Sequence, residues 1–220
     1  MNINIDSEMT KYKIGYLDES EQNRATFYRV FKNDFTVIFF EDNSKIKTLE
    51  ELLSQINELG LDALAVDYKL ADSGWVRYNG DEVINKIWDC KRYFPVFLLT
   101  SYTGEAIQKT ENAFLVNEKD VLNNEKAYKL LIDKVKGAIK SYGKIVSKIQ
   151  SRAKVLEQKQ RDNSITEKDE HELINLHIEM SHIDPEANPL SADMLQTQNV
   201  KDIHEMVDLT RQLLNSINQK

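Results

Sequence analysis

The feature that most constrains this chain is an alternation. Over the first 120 residues, five short apolar runs are separated by four amphipathic segments. The runs are KIGYLDE (13–19), FTVIFFED (35–42), LDALAVDYKL (61–70), FPVFLLTSY (94–102) and AFLVNEK (113–119). Between the first two, Ser20 and Glu21 open a helix whose apolar face holds Phe27, Val30 and Phe31. TLEELLSQINELG (48–60) reads as a helix capped by Thr48 and stopped by Gly60. GDEVINKIWDCKRY (80–93) is a third helix, GEAIQKTEN a short fourth, and a long one begins near Asn124.

Strands this uniformly apolar, alternating with helices, predict a parallel sheet covered on both faces. Right-handed crossovers leave few topologies, and order 2-1-3-4-5 is the commonest for five strands. The expected fold class is therefore α/β, a flavodoxin-like doubly wound sheet. Working groups in such sheets gather at the carboxyl ends of the strands. There the sequence places Asp18 and Glu19 after strand 1, Asp67 after strand 3, Thr100 and Ser101 after strand 4, and Lys119 after strand 5.

Three carboxylates in one crevice repel unless a cation joins them. An all-oxygen ligand set suits Mg²⁺ better than Zn²⁺ or Ca²⁺. An aspartate beside that ion is able to attack phosphorus, while a lysine and a hydroxyl neutralise or hydrogen-bond the other phosphoryl oxygens.

The quartet LDE (17–19), VDYKL (66–70), LLTS (98–101) and VNEK (116–119) resembles the receiver domain of two-component response regulators, over about residues 12–140. The resemblance implies that Asp67 is a phosphoacceptor, with Thr100 as switch hydroxyl and Lys119 as the site lysine. It implies Mg²⁺ held by Asp18, Glu19 and Asp67, with Glu19 and Asp67 nearest the ion, and by the backbone carbonyl of Lys69. The phosphoryl group would come from a histidine kinase or phosphotransfer protein, making the chain a signalling switch rather than an enzyme. A strand-5 aromatic, Phe114, is expected to respond together with Thr100. Counting back from Phe114 would put Asn117 in the lysine position; Lys119 is preferred because only it supplies charge. The sequence departs from the family in the Pro-free insertion ADSGWVRYNG, where Gly80 takes the place of the family's glycine, and in Asp120, which follows Lys119 where the family has proline. Trp75 and Tyr78 in that insertion read as loop packing, with a cover for the acidic pocket or a partner contact as the alternatives. These departures leave a second reading, a non-phosphorylated receiver acting as an interaction scaffold.

From Asn124 to about Gln160, Tyr128, Leu131, Val135, Ala138, Tyr142, Ile145, Ile149, Arg152 and Leu156 follow alternating spacings of 3 and 4. This is an a/d seam broken at Arg152, expected to carry a homodimer through residues 124–160. Residues 141–220 are expected to form an all-α extension, coiled-coil or helical hairpin. A helix capped by Ser164 or Thr166 continues the pattern with Leu173, Leu176, Met180 and Ile183, and a last one holds Val200, Ile203, Val207, Thr210, Leu214 and Ile217.

Net charge is -7. Residues 121–150 alone are basic, with 7 Lys/Arg against 2 Asp/Glu. The row Lys136, Lys140, Lys144 and Lys148 reads as a solvated face, and the acidic tail argues against DNA as a partner. His171, His177, His182 and His204 lack metal-binding spacing; His177 would be the candidate for phosphotransfer on a helical bundle. The single Cys90, the absence of a ~20-residue apolar run and the polar start MNINIDSEMT suit a cytoplasmic protein with no membrane segment. The output partner is unknown.

Overall fold

The computed structural model describes residues 11–40, 42–184 and 188. The elements run β1 (Lys13–Leu17), α1 (Glu21–Phe31), β2 (Thr36–Phe39), α2 (Leu49–Leu59), β3 (Ala63–Val66), α3 (Gly80–Cys90), β4 (Val96–Thr100), α4 (Thr103–Lys109), β5 (Val116–Glu118), α5 (Glu125–Arg161) and α6 (Glu167–Ile183). Five parallel strands form one sheet in the order β2-β1-β3-β4-β5. This is the flavodoxin-like arrangement, followed by C-terminal helices. The chain divides into two compact units, one up to Ile145 and one from Val146.

The period of two along each strand decides which helix covers which face. On β3, Leu64 and Val66 face the layer made by α2 and α3, where Leu52, Ile56, Val83, Ile84 and Ile87 are buried. Ala63 and Ala65 face the opposite layer, where Phe27 and Phe31 of α1 meet Leu131, Ile132, Val135 and Ile139 of α5. That second layer is aromatic: the rings of Tyr16 and Phe27, and of Phe27 and Phe31, stack with centroids 4.2 Å apart. Each fully buried side chain of this size contributes roughly 1.5–3 kcal/mol. The central strands β1, β3 and β4 are dry except at Lys13, whereas the edge strand β2 is half-buried.

The helix caps follow the sequence signals. Ser20 accepts from the Asn23 amide, Thr48 and Glu51 form a capping box, and Gly60 closes α2 in the left-handed conformation. Thr166 caps α6 with Asp169 in a second such box.

Three expectations are corrected. The run 113–119 is not one strand: the Asn112 side chain accepts from the Phe114 amide and starts a 3-10 turn over Ala113–Leu115. Only Val116–Glu118 pairs with β4, and Phe114 is 97% exposed, not a strand aromatic. Second, the buried positions of α5 are not the a/d seam throughout. Ile132 and Ile139 are buried, whereas Ala138 and Arg152 of the seam are exposed and Ala153 is buried beside Leu156. A helix lying on a sheet or against one partner helix buries a wider stripe than a coiled-coil seam does. Third, Cys90, whose place in the helical pattern of residues 80–93 reads as a buried small apolar residue, is only half-buried at the end of α3.

Within the second unit, Asn163 adopts a positive φ and the Ser164 and Asn163 amides close α5 on the carbonyls of Lys159 and Gln160. That cap turns the chain into α6. Ala153, Leu156 and Leu173 form a small core with Ile165, Leu176 and Met180 around it. Arg152 makes a bidentate pair with Glu172 at 2.6 Å, and Lys159 meets Asp169 at 2.9 Å. A helical hairpin is thus present; residues 200–217 of the expected last helix lie outside the described residues. No described helix is long and apolar enough to cross a membrane.

Candidate functional site

Parallel pairing sets the site's geometry. Leu17 pairs with Val66, and the Asp67 amide donates to the Leu17 carbonyl at 2.8 Å, so Asp18 and Asp67 leave adjacent strands side by side. Thr100 pairs with Glu118, which places Lys119 one residue past the end of the β4–β5 ladder. The Lys119 ammonium lies 2.8 Å from Asp18 Oδ2 and 2.9 Å from Asp67 Oδ1. Residues from β1, β3 and β5 therefore meet at one rim. Asn117 is not among them: its side-chain amide donates to the backbone carbonyls of Leu98 and Leu115.

Asp18 is 0% exposed and its carboxylate is surrounded by donors. Oδ2 accepts from the Tyr16 hydroxyl at 2.5 Å and from Asn23 Nδ2 at 3.1 Å; Oδ1 accepts from the Ser20 amide at 2.9 Å and from Asn23 Nδ2 at 3.1 Å. The Arg24 guanidinium holds the Asp18 backbone carbonyl at 2.8 Å. Tyr16 and Asn23 were not singled out by the motifs. Tyr16 stands two residues before Asp18, so strand periodicity alone puts both on one side. Asn23 is five residues past Asp18 on the first turn of α1, which starts at the rim.

The other two carboxylates are less satisfied. Glu19 Oε2 is buried with no hydrogen-bond donor, and Asp67 Oδ1 has only the Lys119 ammonium beside it, at 2.9 Å. Burial raises the pKa of Asp67; the Lys119 ammonium opposes that shift and the charge of Asp18 adds to it. Burial also raises Glu19, with the charges of Asp18 and Asp67 adding to the effect. For Lys119, burial works against the charge, but contacts with Asp18 and Asp67 outweigh it and its pKa rises. Burial and then Asp18 push the Tyr16 phenol far above its ordinary range, so it remains a donor at any working pH. One ammonium thus faces three carboxyl groups.

Glu19 Oε2, which lacks a donor, and Asp67 Oδ1, which has only the Lys119 ammonium, suit a hard divalent cation such as Mg²⁺. Among the described residues, no group of three His, Cys, Asp or Glu side chains is arranged to hold a metal. Asp18, with both oxygens engaged, serves as an anchor for Lys119.

Thr100 is fully buried at the end of β4, and its Oγ1 accepts from the Tyr102 amide at 3.1 Å. The Lys69 side chain leaves the rim: its ammonium lies 3.2 Å from Glu105 and 4.0 Å above the Tyr102 ring. Gly80 of α3 packs so closely on Asp67 that a Cβ would overlap the Asp67 carbonyl oxygen, and its amide donates to Tyr68 at 2.9 Å. A polar cleft of about 200 Å³ opens beside Lys119, lined by Gln22, Asn23, Ser101, Asp120 and Asn123. A larger apolar groove of about 250 Å³, lined by Trp88, Tyr93, Phe94 and Phe114, contains none of the rim carboxylates.

Other candidates are structural. The Tyr78 hydroxyl is buried and donates to the Ile46 carbonyl, and the Trp75 carbonyl accepts from Asn43, so the insertion packs on the loop before α2. Lys136 pairs with Asp34 at 2.6 Å, while Lys140, Lys144 and Lys148 are exposed. His177 lies 3.6 Å from Glu157 on the hairpin surface; His204 lies outside the described residues.

No protein-family model matches the chain, and no curated protein matches it. Among solved structures, a fusion described as the yeast Spc42 trimeric coiled coil, amino acids 181-211, joined to another structure is similar. The likeness covers 71% of this chain and 96% of that one, at 21% identity and a TM-score of 0.46. At that level it carries no argument about fold or function.

Proposed function

We propose that the chain is a response-regulator-like signalling protein whose Asp67 accepts a phosphoryl group from a histidine kinase or phosphotransfer protein. The observation that carries this reading is the Lys119 ammonium shared between Asp18 and Asp67 at the carboxyl rim of the sheet. Beyond that ion pair, the cluster keeps a buried Glu19 carboxylate oxygen without a donor.

In the transfer, an Asp67 carboxylate oxygen forms a bond to phosphorus as the bond to the donor imidazole breaks, and the imidazole leaves with the electron pair. Lys119 moves part of its charge from Asp67 to a phosphoryl oxygen, while Tyr16, Asn23 and the Ser20 amide keep Asp18 satisfied. Thr100 supplies a hydroxyl to another phosphoryl oxygen. Glu19, Asp67 and the Lys69 carbonyl would hold Mg²⁺, which when bound neutralises the acidic cluster and polarises a phosphoryl oxygen. The output is a helical interaction surface in the cytoplasm, with a homodimer through residues 124–160 as one form, rather than DNA.

The test is incubation of the full chain with Mg²⁺ and a small acyl-phosphate donor, read by intact mass. One added phosphoryl group, absent in Asp67→Asn, is the expected result. No addition in the wild-type protein would leave the second reading, a constitutive interaction scaffold. Light scattering of the phosphorylated and free forms then tests the dimer.

A further inference from the structure

The shortest helix of the sheet unit raises a question of how it stays folded. α4 has seven residues, far below the ~12–15 at which a helix in water begins to hold by itself. Its N-cap is Tyr102, whose side chain makes no capping hydrogen bond, and Ala106 is its buried residue. The usual supports, a Ser/Thr/Asp/Asn cap and a broad apolar stripe, are missing.

Three contacts around Lys69 stand in their place. The Lys69 ammonium is 3.2 Å from Glu105 in the first turn of α4, 3.9 Å from Asp72, and 4.0 Å over the ring of Tyr102. Lys69 is two residues past Asp67, in the turn that follows β3. Tyr102 is fixed at its other end, since its amide donates to Thr100 Oγ1 at 3.1 Å. The turn after β3 and the start of α4 are thereby joined through one side chain, and both ends of the link reach the candidate site.

We infer that Lys69, Tyr102 and Glu105 form a latch that holds the first turn of α4 in place, and that the latch opens when the Thr100 hydroxyl is drawn to a phosphoryl group on Asp67. The first half stands on the contacts alone; the second rests on the reading of Asp67 as a phosphoacceptor. Thr100 has no spare room, being fully buried. Rotating its hydroxyl towards Asp67 breaks the bond to the Tyr102 amide or drags that amide along, and either displaces the ring beneath Lys69. This route to the surface needs no aromatic on β5, and Phe114 does not supply one: it lies on the 3-10 turn, exposed.

Hydrogen exchange of the full chain, read by mass spectrometry over residues 103–109, tests both halves. Without a phosphodonor, Lys69→Met and Glu105→Gln should each raise exchange there by ~5-fold, the size expected from losing one exposed ion pair with or without a cation–π contact. Peptides from β1 and α2 should not change. Exchange at the wild-type level in both variants overturns the latch. With Mg²⁺ and an acyl-phosphate donor, the phosphorylated wild type should reach the level of Glu105→Gln, and that variant should rise no further. Phosphorylated protein with unchanged exchange over 103–109 overturns the opening step while leaving Asp67 an acceptor. Failure to add a phosphoryl group removes the acceptor reading, and with it the trigger, while the first arm still decides the latch.

Discussion

The Lys119 ammonium stands 2.9 Å from Oδ1 of Asp67, although 52 positions separate the two residues in the chain. Two parallel crossovers bring them together, and the same ammonium reaches Asp18 at 2.8 Å. The cluster remains short of positive charge, and most of what it is expected to do in solution follows from that imbalance.

Glu19 and Asp67 both have pKa values raised above their ordinary range by burial. A carboxyl group raised in the folded state contributes stability that is fully present below its unfolded pKa and is lost as pH rises through its folded one. Glu19→Gln removes that loss. The variant should therefore be more stable than wild type at about pH 8, and the gap should close as pH falls to about 4. Urea unfolding across that range measures the gap. Mg²⁺ should narrow it at the alkaline end; a gap independent of pH would contradict the assignment of Glu19 to a charge-poor cluster.

Tyr16→Phe keeps the ring stacked on Phe27 and deletes one donor to Asp18. Losing a hydrogen bond to a buried charged group costs about 1.5–3 kcal/mol. Denaturant unfolding should show a loss of that order with an unchanged m-value, and Tyr16→Leu, which also breaks the stack, should lose more.

Phe114→Ser should leave stability within about 0.5 kcal/mol of wild type, because the ring is almost wholly in water. On the proposed reading of Asp67, the rate of phosphoryl addition, read by intact mass over time, should also match wild type. A slower rate would mean that the ring takes part in the switch despite its exposure.

In the second unit, Leu156 is fully buried between α5 and α6. Leu156→Ala should cost about 2–5 kcal/mol there. Exchange over 167–183 is the measurement, with β1 and β3 peptides expected to stay protected. Glu172→Gln, which weakens an exposed pair with Arg152, should change the same exchange only slightly.

The layers were legible because buried parallel strands are nearly continuous apolar runs. The rim was legible because Asp18 and Asp67 each follow directly on such a run and Lys119 follows the last short strand. Tyr16 was missed because a tyrosine within an apolar strand reads as core, and its hydroxyl matters only once Asp18 is known to lie beside it. The 113–119 run misled because its apolar content suits a strand equally well, whereas the Asn112 side chain decides for a turn. On α5, 3.5 and 3.6 periods diverge by only about 20° per heptad. Ile132 and Ile139 lie just off the seam and become core because a sheet covers a broad stripe.

Gly80 carries no chemistry, yet it governs the alignment of Asp67. Its missing side chain is the space that the strand end occupies, so even a methyl group there would lever the Asp67 backbone away from Lys119 without altering a single charge. A chain keeping every carboxylate and the lysine but lacking this glycine would look competent on paper and be misaligned in fact. Searches for working relatives should weigh this silent position beside the acidic ones.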